Sequence, residues 1–157
     1  DFRGAQARLQ QAARLAPNRP EAHEELVALA LNPMGDYALA EEAAGRALAA
    51  GGEVRFAVLE EGARSNGTLS ISSKRVRFQP ALGRDGFDAA PSGVREFTHN
   101  RGRLRGITGV VTQGRVGNDR HSSFRVRVGD KRYNFIPRSG DPREADLIVR
   151  LGRAVVR

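Results

Sequence analysis

Arginine is the side chain through which this sequence could do chemistry. Between Arg95 and Arg132 ten basic residues stand against three acidic ones, a net of +7. Arg101, Arg103 and Arg105 fall in one polar stretch and Arg115 and Arg120 in another. Arg125, Arg127 and Arg132 fall on what reads as a hairpin. Guanidinium groups carry charge at every accessible pH and grip carboxylates and phosphates with two parallel hydrogen bonds. A cluster of them suits an anion: an acidic protein segment, a lipid headgroup or a nucleic acid. Nucleic acid fits worst, because no aromatic residues are interleaved to stack on bases. The competing reading is a solvated basic surface whose repulsion is relieved by Glu96, Asp119 or acidic helices elsewhere.

Catalytic patterns are missing from the sequence. His23, His99 and His121 are scattered without metal-ligand spacing and read as surface or turn residues. Glu60 and Glu61 are adjacent carboxylates, but neighbours on a strand point to opposite faces, which argues against joint acid–base work. No phosphate-binding glycine loop, nucleophile elbow or paired-histidine zinc motif occurs. There is no cysteine, hence no disulfide and no thiolate site. The expectation is a non-enzyme with no cofactor, no metal and no small-molecule substrate.

The elements that position the arginines follow from periodicity. Gly67–Phe78 alternates apolar and polar residues on either side of Ser73-Lys74. With those two residues as the loop, Ile71 lies opposite Val76 and Leu69 opposite Phe78, all on one face. Val54, Phe56 and Val58 predict a strand before it, and Ser65-Asn66-Gly67 reads as the turn between. Residues 79–86 read as loop, Phe87–Phe97 as an edge strand broken by Pro91 and then a second strand, and 107–112 as another strand between polar loops at 100–106 and 113–122. Gly129-Asp130 turns the next hairpin, setting Val128 opposite Lys131, Val126 opposite Tyr133 and Phe124 opposite Phe135. Arg127 then faces Arg132 across the ladder, with Arg125 on the same outer face, an arrangement that is destabilising on its own. Asp141, Pro142 and Glu144 mark the start of a last helix with a capping-box pattern. Its apolar stripe is Ala145, Ile148, Leu151, Gly152 and Val155, with Gly152 allowing close approach to the sheet.

Residues 1–52 differ in kind. They carry five arginines against seven acids, whereas residues 53–157 carry 21 basic against 11 acidic residues, a net of +10. The composition changes at the same place, from alanine-rich periodic sequence to Val, Phe, Arg and Gly. We therefore place a domain boundary at Gly51-Gly52. Before it, three helices are expected: Phe2–Leu15, stopped by Pro17; Glu21–Leu31; and Tyr37–Ala50, capped by Asp36.

Pro20–Leu31 followed by Gly35-Asp36-Tyr37, Ala40, Ala47 and Leu48 resembles a tetratricopeptide repeat. Asp1-Phe2, Ala5, Ala12 and Pro17 match the second helix of a preceding repeat. The spacing from Asp1-Phe2 to Asp36-Tyr37 is 35 residues, against about 34 for the family, with the extra residue in the Asn32–Met34 turn. His23 replaces the usual aromatic of the first helix. The resemblance implies a peptide-binding concave face lined by Glu21, Glu24, Ala28 and Leu31; the alternative is a solvated helix face. About one and a half repeats are present where roughly three are needed for stability. The chain therefore reads as a piece of a longer array, or its helices lean on the second domain.

Gly67–Ser72, Val76–Phe78, Phe87–Val94 and Phe124–Phe135 resemble the pleckstrin-homology-like fold, in its bacterial form. The tryptophan common in the last helix of eukaryotic members is absent, so their phosphoinositide binding is not carried over. The expected class is α+β: a short antiparallel tetratricopeptide-like helical array, then an antiparallel β roll or barrel capped by a C-terminal helix. The expected function is protein or peptide binding, as a scaffold. The alternative is peripheral attachment to anionic membrane through the arginine face. With no membrane span, signal peptide or cysteine visible, the expected location is cytoplasmic.

Overall fold

The computed structural model of the chain describes residues 1–82, 85–100 and 122–157. The described residues form an α+β structure of four helices and a seven-stranded antiparallel sheet. The predicted strand at 107–112 lies outside them.

Helices α1 (Phe2–Leu15), α2 (Pro20–Leu29) and α3 (Tyr37–Ala49) come first. Asp36 caps α3 as expected, its Oδ1 accepting the Leu39 N–H at 3.0 Å. Helix α2 ends two residues earlier than its periodicity suggests. It passes into a wide turn at Ala30–Met34, where Asn32 leaves helical geometry (φ −150°), and Gly35 closes the turn at φ +63°. Helix α3 buries a small face, Ala40, Ala43, Ala44 and Ala47, while α2, in contact with it, buries His23, Leu26 and Val27. His23 is a correction to the sequence reading. It is 2% exposed, not a surface residue, and its Nε2 lies 3.1 Å from the Pro17 carbonyl, tying α2 to the end of α1.

The strands are β1 (Glu53–Glu60), β2 (Ser65–Ser72), β3 (Val76–Pro80), β4 (Phe87–Ala89), β5 (Val94–His99), β6 (Phe124–Val128) and β7 (Lys131–Pro137). Both hairpin registers agree with the alternation: Leu69 pairs with Phe78 and Ile71 with Val76, and Phe124 pairs with Phe135 and Val126 with Tyr133. The β1–β2 turn differs. Ser65, Asn66 and Gly67 are strand, and the turn falls at residues 61–64, with Arg64 at φ +51°. The Phe78 ring lies over Gly67 where a side chain would stand, so the glycine serves packing and not a turn. Strand β3 likewise runs on to Pro80, into the expected loop.

The sheet order is β4-β3-β2-β1-β7-β6-β5, so two meanders join through β1 and β7. In a flat sheet, three and four strand spacings would hold β7 about 14 Å from β3 and about 19 Å from β4. Yet the Phe78 and Phe135 rings are 4.9 Å apart, and Phe87 and Tyr133 are 4.8 Å apart. The sheet must therefore bend over on itself. The connection from β4 to β5 requires the same, because four residues carry the chain from one edge strand to the other. Inside the bend lie Val54, Phe56, Val58, Leu69, Val76, Phe124 and Val126, each at most 1% exposed.

Helix α4 (Pro142–Val156) packs on β5, β2 and β7 and also on α3. Burial of Leu147 and Val149 in addition to the expected stripe is what a helix enclosed on two sides requires. Arg150 meets Glu41 of α3 at 2.7 Å, and the Arg143 guanidinium sits 4.7 Å over the Tyr37 ring. The helices thus lean on the strand-rich part of the chain, one of the two options open to so short a helical array.

Candidate functional site

Strand alternation creates the site. With Val54, Phe56 and Val58 turned inward, β1 presents Glu53, Arg55 and Ala57 outward, toward α2. Two contacts hold α2 there. Glu24 Oε2 accepts the Glu53 N–H at 2.6 Å, and Gly52 is buried where a side chain would strike Pro20 and the Glu24 carboxylate. Between helix and strand run two clefts. The narrower, about 340 Å³, is lined by Glu21, Glu24, Glu25, Val27, Ala28, Glu53 and Arg55. The wider, about 680 Å³, continues past Leu31 and Asn32 to Arg138, Ser139 and Glu144. They share Ala28 and Arg55, and so form one groove.

The groove is charged unevenly. The Glu53 carboxylate takes two hydrogen bonds from Arg77 Nη2, at 3.0 and 3.2 Å, and one from Arg55 Nε at 3.0 Å. At the far end Glu144 is 7% exposed and accepts the Ser139 hydroxyl at 2.9 Å. Burial raises the Glu144 pKa, the Ser139 hydrogen bond acts against this, and the Asp141 charge adds to the rise. Glu144 does not complete a capping box, because its carboxylate turns to Ser139. The helix is capped instead by Asp141 Oδ1, which accepts the Arg143 N–H at 2.8 Å. Hydrogen bonding to Arg143 holds the Asp141 carboxyl below its ordinary value.

All four groove residues expected from the repeat resemblance line this groove, although the Glu24 carboxylate is engaged with the β1 backbone. Arg55, Arg138, Ser139 and Glu144 were not read from the sequence as site residues. Only the outward position of Arg55 on an alternating strand signals it; Arg138 and Glu144 arrive through the fold.

The arginine face lies elsewhere, on the outer side of β6 and β7. Arg127 is paired directly with Arg132, and Glu96 of β5 stands opposite Arg127 on the other side. Arg125 donates to Asn134 Oδ1 at 3.3 Å and lies 3.9 Å from Glu96. Arg127 donates to the Gly129 carbonyl at 3.2 Å. Arg101, Arg103, Arg105, Arg115, Arg120 and His121 lie outside the described residues.

His99 is not a free surface histidine: its Nε2 lies 3.0 Å from Asp146 of α4. Glu60 and Glu61 diverge, Glu60 accepting the Ala63 N–H and Glu61 the Ser123 hydroxyl at 2.6 Å. Among the described residues no three His, Cys, Asp or Glu side chains gather as metal ligands, and no helix is long and apolar enough to cross a membrane. No family model matches this chain, and neither does any curated protein or solved structure.

Proposed function

We propose that this chain is a non-catalytic interaction module that binds a segment of a partner protein in the groove between α2 and β1. In this reading the helices are part of a tetratricopeptide array and the bent sheet with α4 is a pleckstrin-homology-like roll. One observation supports it: the four residues that the repeat resemblance assigns to a peptide face, Glu21, Glu24, Ala28 and Leu31, line one groove. The strand order, with β1 central and α4 against the bent sheet, supports the second half of the reading. A photo-crosslinking residue placed at Ala28 of the whole chain should capture a partner from host lysate. The same residue at exposed Leu15 should not. Equal capture at both positions would defeat the proposal.

A second reading is favoured by the pairing of Arg127 with Arg132. A cross-strand like-charge pair is worth retaining if an anion bridges it, and a lipid surface would do so. Sedimentation with anionic vesicles at low salt tests this. Binding that is lost in the Arg125→Glu, Arg127→Glu, Arg132→Glu variant supports it; no sedimentation removes it.

A further inference from the structure

The two ends of the groove differ in charge, and this specifies the occupant further. At one end Glu21 and Glu25 stand one helical turn apart on α2, both exposed. Among the described residues neither has an ion-pair partner. At the other end Arg138 is exposed and likewise unpaired, beside Ser139, whose hydroxyl is donated to the buried Glu144. Between them the wall is apolar: Ala28, Leu31 and Ala57. Arg55, in the middle, is already held by Glu53.

A polyanion is unsuited to such a groove, since Glu21, Glu24 and Glu25 would repel it at one end. A uniformly basic segment would meet Arg138. Like-charge juxtaposition across an interface suppresses wrong partners, so both are selected against.

We propose that the groove takes an extended polypeptide stretch carrying a basic residue toward one end and an acidic residue toward the other, with apolar residues between. Its lysine or arginine lies at Glu21 and Glu25, and its carboxylate at Arg138. The site is composite: helix α2 reads the cation, and the turn after β7 reads the anion. This inference rests on the peptide-binding reading above and adds the chemistry of the partner.

The test is selection of random dodecapeptides displayed on phage against the immobilised whole chain. Competing selections use Ala28→Trp, which fills the groove from an exposed helix position, and Arg138→Glu. The expected result is enrichment of peptides with a basic and an acidic residue at one recurring spacing, lost on Ala28→Trp. As synthetic peptides they should bind Arg138→Glu about tenfold more weakly, and replacing their acid with lysine should restore binding to that variant. Peptides that depend on Ala28 but lack the paired charges, or carry only acids, overturn this inference and leave the groove reading standing. No enrichment, or enrichment indifferent to Ala28→Trp, overturns both.

Discussion

Gly152 of α4 faces the ring of Phe97 on β5 so closely that a Cβ would overlap it. The Phe97 ring is in turn stacked on Phe124 at 6.0 Å, nearly parallel. The helix therefore lies on an aromatic platform that cannot easily yield. Gly152→Ala should destabilise the chain by about 1–3 kcal/mol through overpacking, even though alanine favours a helix by about 1 kcal/mol. Urea titration measures this. Adding Phe97→Leu should recover part of the loss, and a strictly additive double variant would mean the contact is not the cause.

Arg127 and Arg132 repel across the β6–β7 ladder with Glu96 on only one side of them. Arg132→Glu should therefore stabilise the fold by a few tenths to about 1 kcal/mol. The gain should shrink in high salt, because these side chains are not deeply buried. An unchanged or lowered midpoint in low salt would show that the repulsion is already compensated.

The buried Glu144 makes stability depend on pH in a known direction. Its pKa is raised in the folded state, so the folded chain holds more protons than the unfolded one above the ordinary glutamate value. Its contribution is thus most favourable at low pH and declines as pH rises through the folded pKa. Asp141, held down by Arg143, acts oppositely: its contribution is present above the ordinary aspartate value and is lost on acidification. Glu144→Gln, which can still accept from Ser139, should raise stability at neutral pH and flatten the decline. A pH series of unfolding midpoints in the two proteins decides it.

Asn100 is 7% exposed and its Nδ2 donates to Ser123 Oγ at 2.8 Å and Asn134 Oδ1 at 3.0 Å, while Ser123 donates to Glu61. Removing the amide leaves the Ser123 hydroxyl oxygen without its donor and Asn134 Oδ1 with Arg125 alone. Asn100→Leu should cost about 1–3 kcal/mol for that reason, whereas Ser65→Ala at the start of β2, where the hydroxyl makes only a solvent-exposed bond, should change little. Equal effects would mean that the network adds nothing.

Cutting the tie between helices and sheet is a separate test. In Glu24→Ala the Glu53 N–H loses its acceptor, which should cost about 1 kcal/mol. Amide exchange at Glu53 should accelerate more than at Val58 in the middle of the sheet core. Uniform acceleration would mean that the contact supports global stability only.

The legible part of this molecule was local. Alternation at Leu69, Ile71, Val76 and Phe78 and the two-residue loops at Ser73-Lys74 and Gly129-Asp130 set both hairpin registers, because a slip of one residue would turn every apolar side chain outward. Asp36 and Asp141 marked helix starts because a short carboxylate beside free amides has little else to do there. The Ser65-Asn66-Gly67 signal misled because glycine serves two ends, turning a chain or making room for a ring, and only the position of Phe78 says which.

Tertiary structure decided everything that depends on distant parts of the chain meeting. Periodicity in Phe87 and Tyr133 places each on an apolar face, but a sheet with such faces could lie flat; the contact between the rings shows it bent. The same holds for the groove. Glu21, Arg55, Arg138 and Glu144 come from four elements, and no pattern within any one of them encodes their meeting. Their side chains converge because Gly52 lets α2 close on β1 and because α4, wedged between the sheet and α3, brings its first turn to the same place.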